Sequence, residues 1–167
     1  MSAPLLELTN VSRHFGGVRA VQNVSARIEA GEIVGLIGPN GAGKTTLVNV
    51  ITGAHRATGG EIHFMGERVT NQKPYQAARR GLSRTFQIVQ PFPSMTVREN
   101  VAAGALFAGK AISRRAAMDA AEAHLNFVGL GKLVDAPAST LTLPNRKRLE
   151  LAKSLAMRPR MLLLDEV

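Results

Sequence analysis

Apolar and polar residues alternate weakly between Leu5 and Ile28, and Gly16-Gly17 interrupts them. A period of two predicts half-buried strands, here two or three short strands of an antiparallel flap that include residues 6–11 and 24–28. Phe15, just before the turn, reads either as a packed aromatic or as a ligand contact. Beyond the turn at Ala30-Gly31, residues 32–37 (Glu-Ile-Val-Gly-Leu-Ile) form a nearly continuous apolar run and predict a buried strand. Residues 45–51 predict a helix, and residues 61–64 a further strand with His63 on its surface. Residues 74–80 predict a short helix, with Pro74 in its first turn and Gly81 as its stop. A strand over 82–86 follows, and the prolines at 91 and 93 make 88–94 a loop.

From Thr96 the pattern becomes helical. Thr96 and Glu99 have the spacing of a capping box, in which each side chain accepts from the other residue's amide. Ser113 caps a predicted helix over 114–128, which stops at Gly129 and Gly131. Residues 95–131 therefore read as an inserted helical subdomain. A loop around Pro137 and Ser139 leads to a helix over 145–157, whose apolar stripe carries Leu149, Ala152, Leu155 and Ala156. Pro159 ends it. Residues 161–164 are wholly apolar and predict a buried strand that runs into Asp165 and Glu166. Two acids there form either a surface turn or a pair facing a metal or ligand, because burying them unpartnered is costly.

Composition narrows the classes. The chain has 167 residues, 45% hydrophobic and 20% charged, enough for one domain with a real core. With no cysteine it has neither disulfides nor thiolate metal sites. No apolar run is long enough to cross a membrane, and the N-terminus lacks the features of a signal peptide. The net charge of +9 suggests an anionic partner, but the basic residues are scattered. Aromatics are 4% with no Trp, too few for a single-strand stacking platform.

The chemistry centres on residues 38–46: Gly38, Pro39, Asn40, Gly41, Ala42, Gly43, Lys44, Thr45 and Thr46. They match the phosphate-binding pattern GxxxxGK[ST], placed between a predicted strand and a predicted helix. Glycines let the backbone curl so that successive N–H groups converge on one anion. Lys44 adds an ammonium for the outer phosphates, Thr45 offers a hydroxyl to Mg²⁺, and the helix directs its positive end at the same charge. The segment predicts nucleoside triphosphate binding. Beside it, Asp165 suits a Mg²⁺ ligand and Glu166 a base that polarises an attacking water.

With both motifs in place, the chain from Leu6 to Glu166 resembles the ATP-binding subunits of ABC transporters, and in detail those of branched-chain amino acid importers. The resemblance implies an α/β P-loop NTPase fold with an N-terminal antiparallel β flap and an inserted helical subdomain. It makes 38–45 the Walker A loop, 161–165 the Walker B strand and Glu166 the catalytic glutamate. Gln87, in Ser-Arg-Thr-Phe-Gln, matches the Q-loop glutamine, which in the family contacts Mg²⁺ and the attacking water and links to the membrane subunit. Phe15 matches the aromatic that stacks on adenine. ATP and Mg²⁺ are the implied cofactors. The implied partners are membrane permease subunits, a second ATP-binding subunit in a homo- or heterodimer and, indirectly, a substrate-binding protein. The location would be peripheral, on the cytoplasmic side of the inner membrane.

Two departures follow. The family signature LSGGQ falls on Leu141, Thr142, Leu143, Pro144 and Asn145, so both glycines are replaced. In the family this segment opens a helix and reaches the γ-phosphate held by the opposite subunit, so weakened closure is expected, with the Thr142 hydroxyl still able to donate. Second, the family's D-loop, its switch histidine and a strand between the Walker A and Walker B strands would all follow Glu166. The expected layout is a β flap and P-loop core over 1–87, a Q-loop and helical subdomain over 88–140, and the signature helix and Walker B strand over 141–167. This domain is expected to be incomplete and, by itself, inactive. A nucleotide-binding fragment without turnover and a nucleic-acid-linked ABC ATPase are the alternative readings. Nucleic acid fits poorly, because the chain lacks the long coiled-coil insertions of such proteins.

Overall fold

The computed structural model describes residues 3–85, 91–108 and 113–165. The chain divides into two compact units, Met1–Ala77 and Ala78–Val167.

In the first unit, strands β1 (Leu6–Phe15) and β2 (Val18–Ile28) form an antiparallel hairpin around Gly16-Gly17, with Phe15 opposite Val18 and Leu6 opposite Ile28. Both strands are longer than the alternation predicts. β3 (Gly59–Phe64) pairs with the other edge of β1, and β4 (Glu67–Arg68) pairs with β3, giving a four-stranded sheet of order β2-β1-β3-β4. Helix α1 (Lys44–Ile51) buries Leu47, Val48, Val50 and Ile51. Leu6, Leu8, Val11, Val21, Ile62 and Phe64 are the buried apolar residues of the sheet.

Residues 32–37 depart from expectation. They pair with no strand among the described residues, and Ile33 and Ile37 are 102% and 94% exposed. An apolar run becomes a buried strand only where neighbours supply ladder bonds and cover both faces. None does so here.

The second unit holds α2's last turn (α2, Pro74–Arg80), a parallel pair of β5 (Leu82–Arg84) and β6 (Met161–Leu163), and three helices. α3 (Val97–Phe107), α4 (Arg114–Phe127) and α5 (Leu143–Ala156) pack around Val97, Val101, Ala117, Ala121, Leu125, Leu149 and Ala152, all fully buried. Short 3₁₀ turns at Gly131–Leu133 and Ala138–Thr140 join α4 to α5. The capping box forms as the sequence predicts: the Glu99 amide donates to Thr96 Oγ1 at 3.1 Å, and the Thr96 amide donates to Glu99 at 3.0 Å. Ser113 caps α4 through the Ala116 amide. β6 is half-buried and Leu164 is 55% exposed, so this strand is not the fully covered one its composition predicts. A single parallel neighbour covers too little of it.

Candidate functional site

In the first unit, the phosphate-loop segment forms a tight curl ahead of α1. Gly41 and Gly43 adopt φ of +81° and +85°, the left-handed conformation that alternates with right-handed residues to turn N–H groups inward. Gly43 has a second reason to be glycine: a Cβ there would overlap the carbonyl oxygen of Ala20 on β2. The hairpin's second strand therefore fixes where α1 begins. Helix α1 has no acidic residue in its first turn, so its positive end is not neutralised from within. Lys44 Nζ donates to the carbonyls of Gly38 at 2.7 Å and Pro39 at 2.8 Å, which places its ammonium over the loop. A phosphate would compete for those donors. Gly38 is half-buried, Pro39, Asn40, Gly41 and Ala42 are exposed, and Thr45 and Thr46 are half-buried in the first turn of α1.

Phe15 ends β1 and is 40% exposed, so it is not a fully buried core aromatic. The Arg13 guanidinium lies 4.3 Å from its ring centroid, and the His55 ring stands nearly perpendicular to it at 5.3 Å. Sequence reasoning gave neither neighbour a role, because only the fold brings residue 55 to residue 15.

In the second unit, β6 delivers Asp165, half-buried, and its amide donates to Thr85 Oγ1 at 3.2 Å. Thr85, itself buried, also donates its amide to the Leu163 carbonyl, so it fixes the strand end that carries the aspartate. Burial lowers the pKa of Arg84 from its ordinary value, while the charge of Asp165 acts to raise it. Gln87 and Glu166 lie outside the described residues.

The signature segment opens a helix, as expected, two residues earlier than its pattern predicts. Leu141 is buried in the helical core, Thr142, Leu143 and Pro144 are exposed, and Asn145 is half-buried. Thr142 is the N-cap residue without a side-chain capping bond, and Pro144 occupies the first turn, where a missing N–H costs no helical bond. Arg146 holds this segment from behind: its Nε donates to the Leu141 carbonyl at 2.9 Å and its second nitrogen to Ser139 at 3.1 Å. The only sequence signal for that role was a basic residue following the signature.

Residues 92–96, ahead of α3, are fixed by Asn100, which is fully buried. Its oxygen accepts from the Phe92 amide, and its nitrogen donates to the carbonyls of Phe92, Met95 and Thr96.

The sequence pattern that defines the ABC transporter family matches residues 21–167. The chain is 39% identical to the high-affinity branched-chain amino acid transport ATP-binding protein BraF of Pseudomonas aeruginosa, covering 99% of this chain and 70% of that protein. It is 41% identical to the LivG protein of the same description in Escherichia coli K12, over the same shares. Among solved structures it is similar to the ADP conformation of an ATP-binding cassette of an ABC transporter, at TM-score 0.83 and 34% identity, over 96% of this chain and 68% of that one. The dimeric structure of a bacterial ABC transporter cassette matches at TM-score 0.86 and 26% identity, over 96% of this chain and 73% of that one.

Proposed function

The chain belongs to the ABC transporter family as an ATP-binding subunit, and on that premise we propose that the full-length protein hydrolyses Mg·ATP to drive an importer of branched-chain amino acids. The observation that carries the reading is the curled loop before α1, with Gly43 seated on the Ala20 carbonyl and the Lys44 ammonium over it. Such a cradle converges amides, a helix N-terminus and one mobile cation on a polyphosphate. The importer class and its amino acid substrate rest on the relatives' names.

Each remaining role is part of the proposal. Phe15 takes the adenine, and the backbone around Gly41–Lys44 takes the phosphates. Thr45 and Asp165 supply a hydroxyl and a carboxylate, hard oxygen donors of the kind Mg²⁺ prefers. Bound there, Mg²⁺ would neutralise phosphate charge. Glu166 accepts the proton of a water that Gln87 orients. As the water oxygen bonds to the γ-phosphorus, the bond to the bridging oxygen breaks and ADP departs. Residues 141–145 face the nucleotide of a second subunit, which makes the working unit a homo- or heterodimer on membrane permease subunits, fed by a substrate-binding protein. That places it peripherally on the cytoplasmic side of the inner membrane. No helix among the described residues is long and apolar enough to cross a membrane.

The test separates binding from chemistry. Glu166→Gln keeps the shape of the side chain and removes its basicity. In vesicles carrying the permease subunits, the full-length protein is expected to drive ATP-dependent leucine uptake, whereas Glu166→Gln in it binds ATP and releases no phosphate. Parental turnover in the variant would remove Glu166 as the base, and turnover without leucine uptake would overturn the substrate assignment.

A further inference from the structure

The Phe15 ring sits in a tied set of contacts that reaches back to the phosphate cradle. Arg13 and Phe15 are two residues apart on β1, a spacing that puts both side chains on one side of a strand. The Arg13 guanidinium lies on a face of the Phe15 ring, 4.3 Å from its centroid. One of its terminal nitrogens donates to the Arg56 carbonyl at 3.0 Å, while its Nε is buried without a hydrogen-bond partner. Next to Arg56, the His55 ring stands perpendicular to Phe15, and the His55 amide donates to the Asn49 carbonyl in the last turn of α1 at 3.0 Å. The first residue of that helix is Lys44. Phe15, Arg13, residues 55–56 and α1 thus form one connected chain of contacts, with the phosphate-binding lysine at its far end.

We propose that Arg13 is a positioning residue for the nucleobase: stacked behind Phe15 and locked to the loop after α1, it presets the platform on which the base of the nucleotide stacks. This rests on the reading of Phe15 as that platform. The physical need is plain. Phe15 ends its strand beside a Gly-Gly turn and is partly exposed, so the ring alone would sample several rotamers, and ordering it on binding would cost side-chain entropy. A guanidinium held on one face restricts those rotamers, and its attraction to the ring quadrupole contributes directly. Arg suits the position better than Lys because its planar head stacks on the ring while still donating sideways to a carbonyl.

The test compares two ligands on the same chain. ATP carries a base and inorganic tripolyphosphate does not, so their affinities separate the platform from the cradle. Arg13→Gln is expected to weaken ATP binding by roughly three- to tenfold and to leave tripolyphosphate affinity unchanged. Arg13→Lys recovers part of the loss. Phe15→Ala weakens ATP at least as much, and adding Arg13→Gln to it brings no further loss, because Arg13 acts through the ring. Equal losses for ATP and tripolyphosphate in Arg13→Gln would overturn the inference, since they would mark a phosphate contact or damage to the fold. So would an unchanged ATP affinity in Arg13→Gln beside a weakened Phe15→Ala, which leaves the platform standing without Arg13. An unchanged ATP affinity in Phe15→Ala would remove the platform reading itself.

Discussion

Single residues do two kinds of work here, and Gly43 does both. Its left-handed backbone turns the phosphate loop, and its missing side chain lets the loop lie on the Ala20 carbonyl. Gly41 has a similar φ but open space where a Cβ would stand. The two glycines therefore separate conformational strain from steric overlap. Gly41→Ala is expected to cost about 1 kcal/mol of stability, and Gly43→Ala about 2 kcal/mol or more, with loss of ATP binding. Chemical denaturation beside nucleotide titration measures both, and equal costs would contradict the role of Ala20. The curl at Gly41 and Gly43 was legible because the pattern over 38–46 sets glycines at fixed spacing in one short stretch. Arg13, His55 and Arg146 were not, since each acts through a carbonyl or ring that only the folded chain brings near.

Elements whose ends are fixed by neighbouring side chains were the most legible. The capping box at Thr96 and the cap at Ser113 form where the sequence places them, because both bonds close within three residues. Bonds from the Thr96 amide, then from its hydroxyl, lower the pKa of Glu99 below its ordinary value, and Arg114 adds to this against the cost of desolvation. A carboxylate with a depressed folded pKa stabilises the fold above its unfolded pKa, and that stability is lost as pH falls through the folded value. Acidification from about pH 5 downward should therefore lower Tm, and Glu99→Gln should flatten that dependence. Thermal melts across the acid range check this, and an unchanged slope would contradict it. Asn100 is the less legible counterpart, a buried polar side chain that satisfies one amide and three carbonyls before α3. Asn100→Ala leaves the Phe92 amide without its acceptor, whereas the three carbonyls keep backbone donors from Met95, Ala138 and residue 100, and it is expected to cost about 1–3 kcal/mol, with Tm as the readout. A loss under about 0.5 kcal/mol would show that water replaces the side chain.

Across the described residues, local patterns foretold most of the longer elements better than their surroundings. Residues 32–37 have the composition of a buried strand and are exposed, and β6 is only half covered, because coverage comes from distant chain that a local pattern does not contain. The antiparallel sheet and the helical subdomain are better covered, since each finds its partners among the elements described here. The loop before α1 lies against β2 within the first unit, so its binding property is tested on this chain. The measurement that reaches the central claim is titration of the chain with a fluorescent ATP analogue in the presence of Mg²⁺, beside Lys44→Ala. Removing the ammonium that lies over the loop is expected to raise Kd at least tenfold, about 1.4 kcal/mol. Equal Kd values for the two proteins would contradict the assignment of residues 38–46 as the nucleotide site.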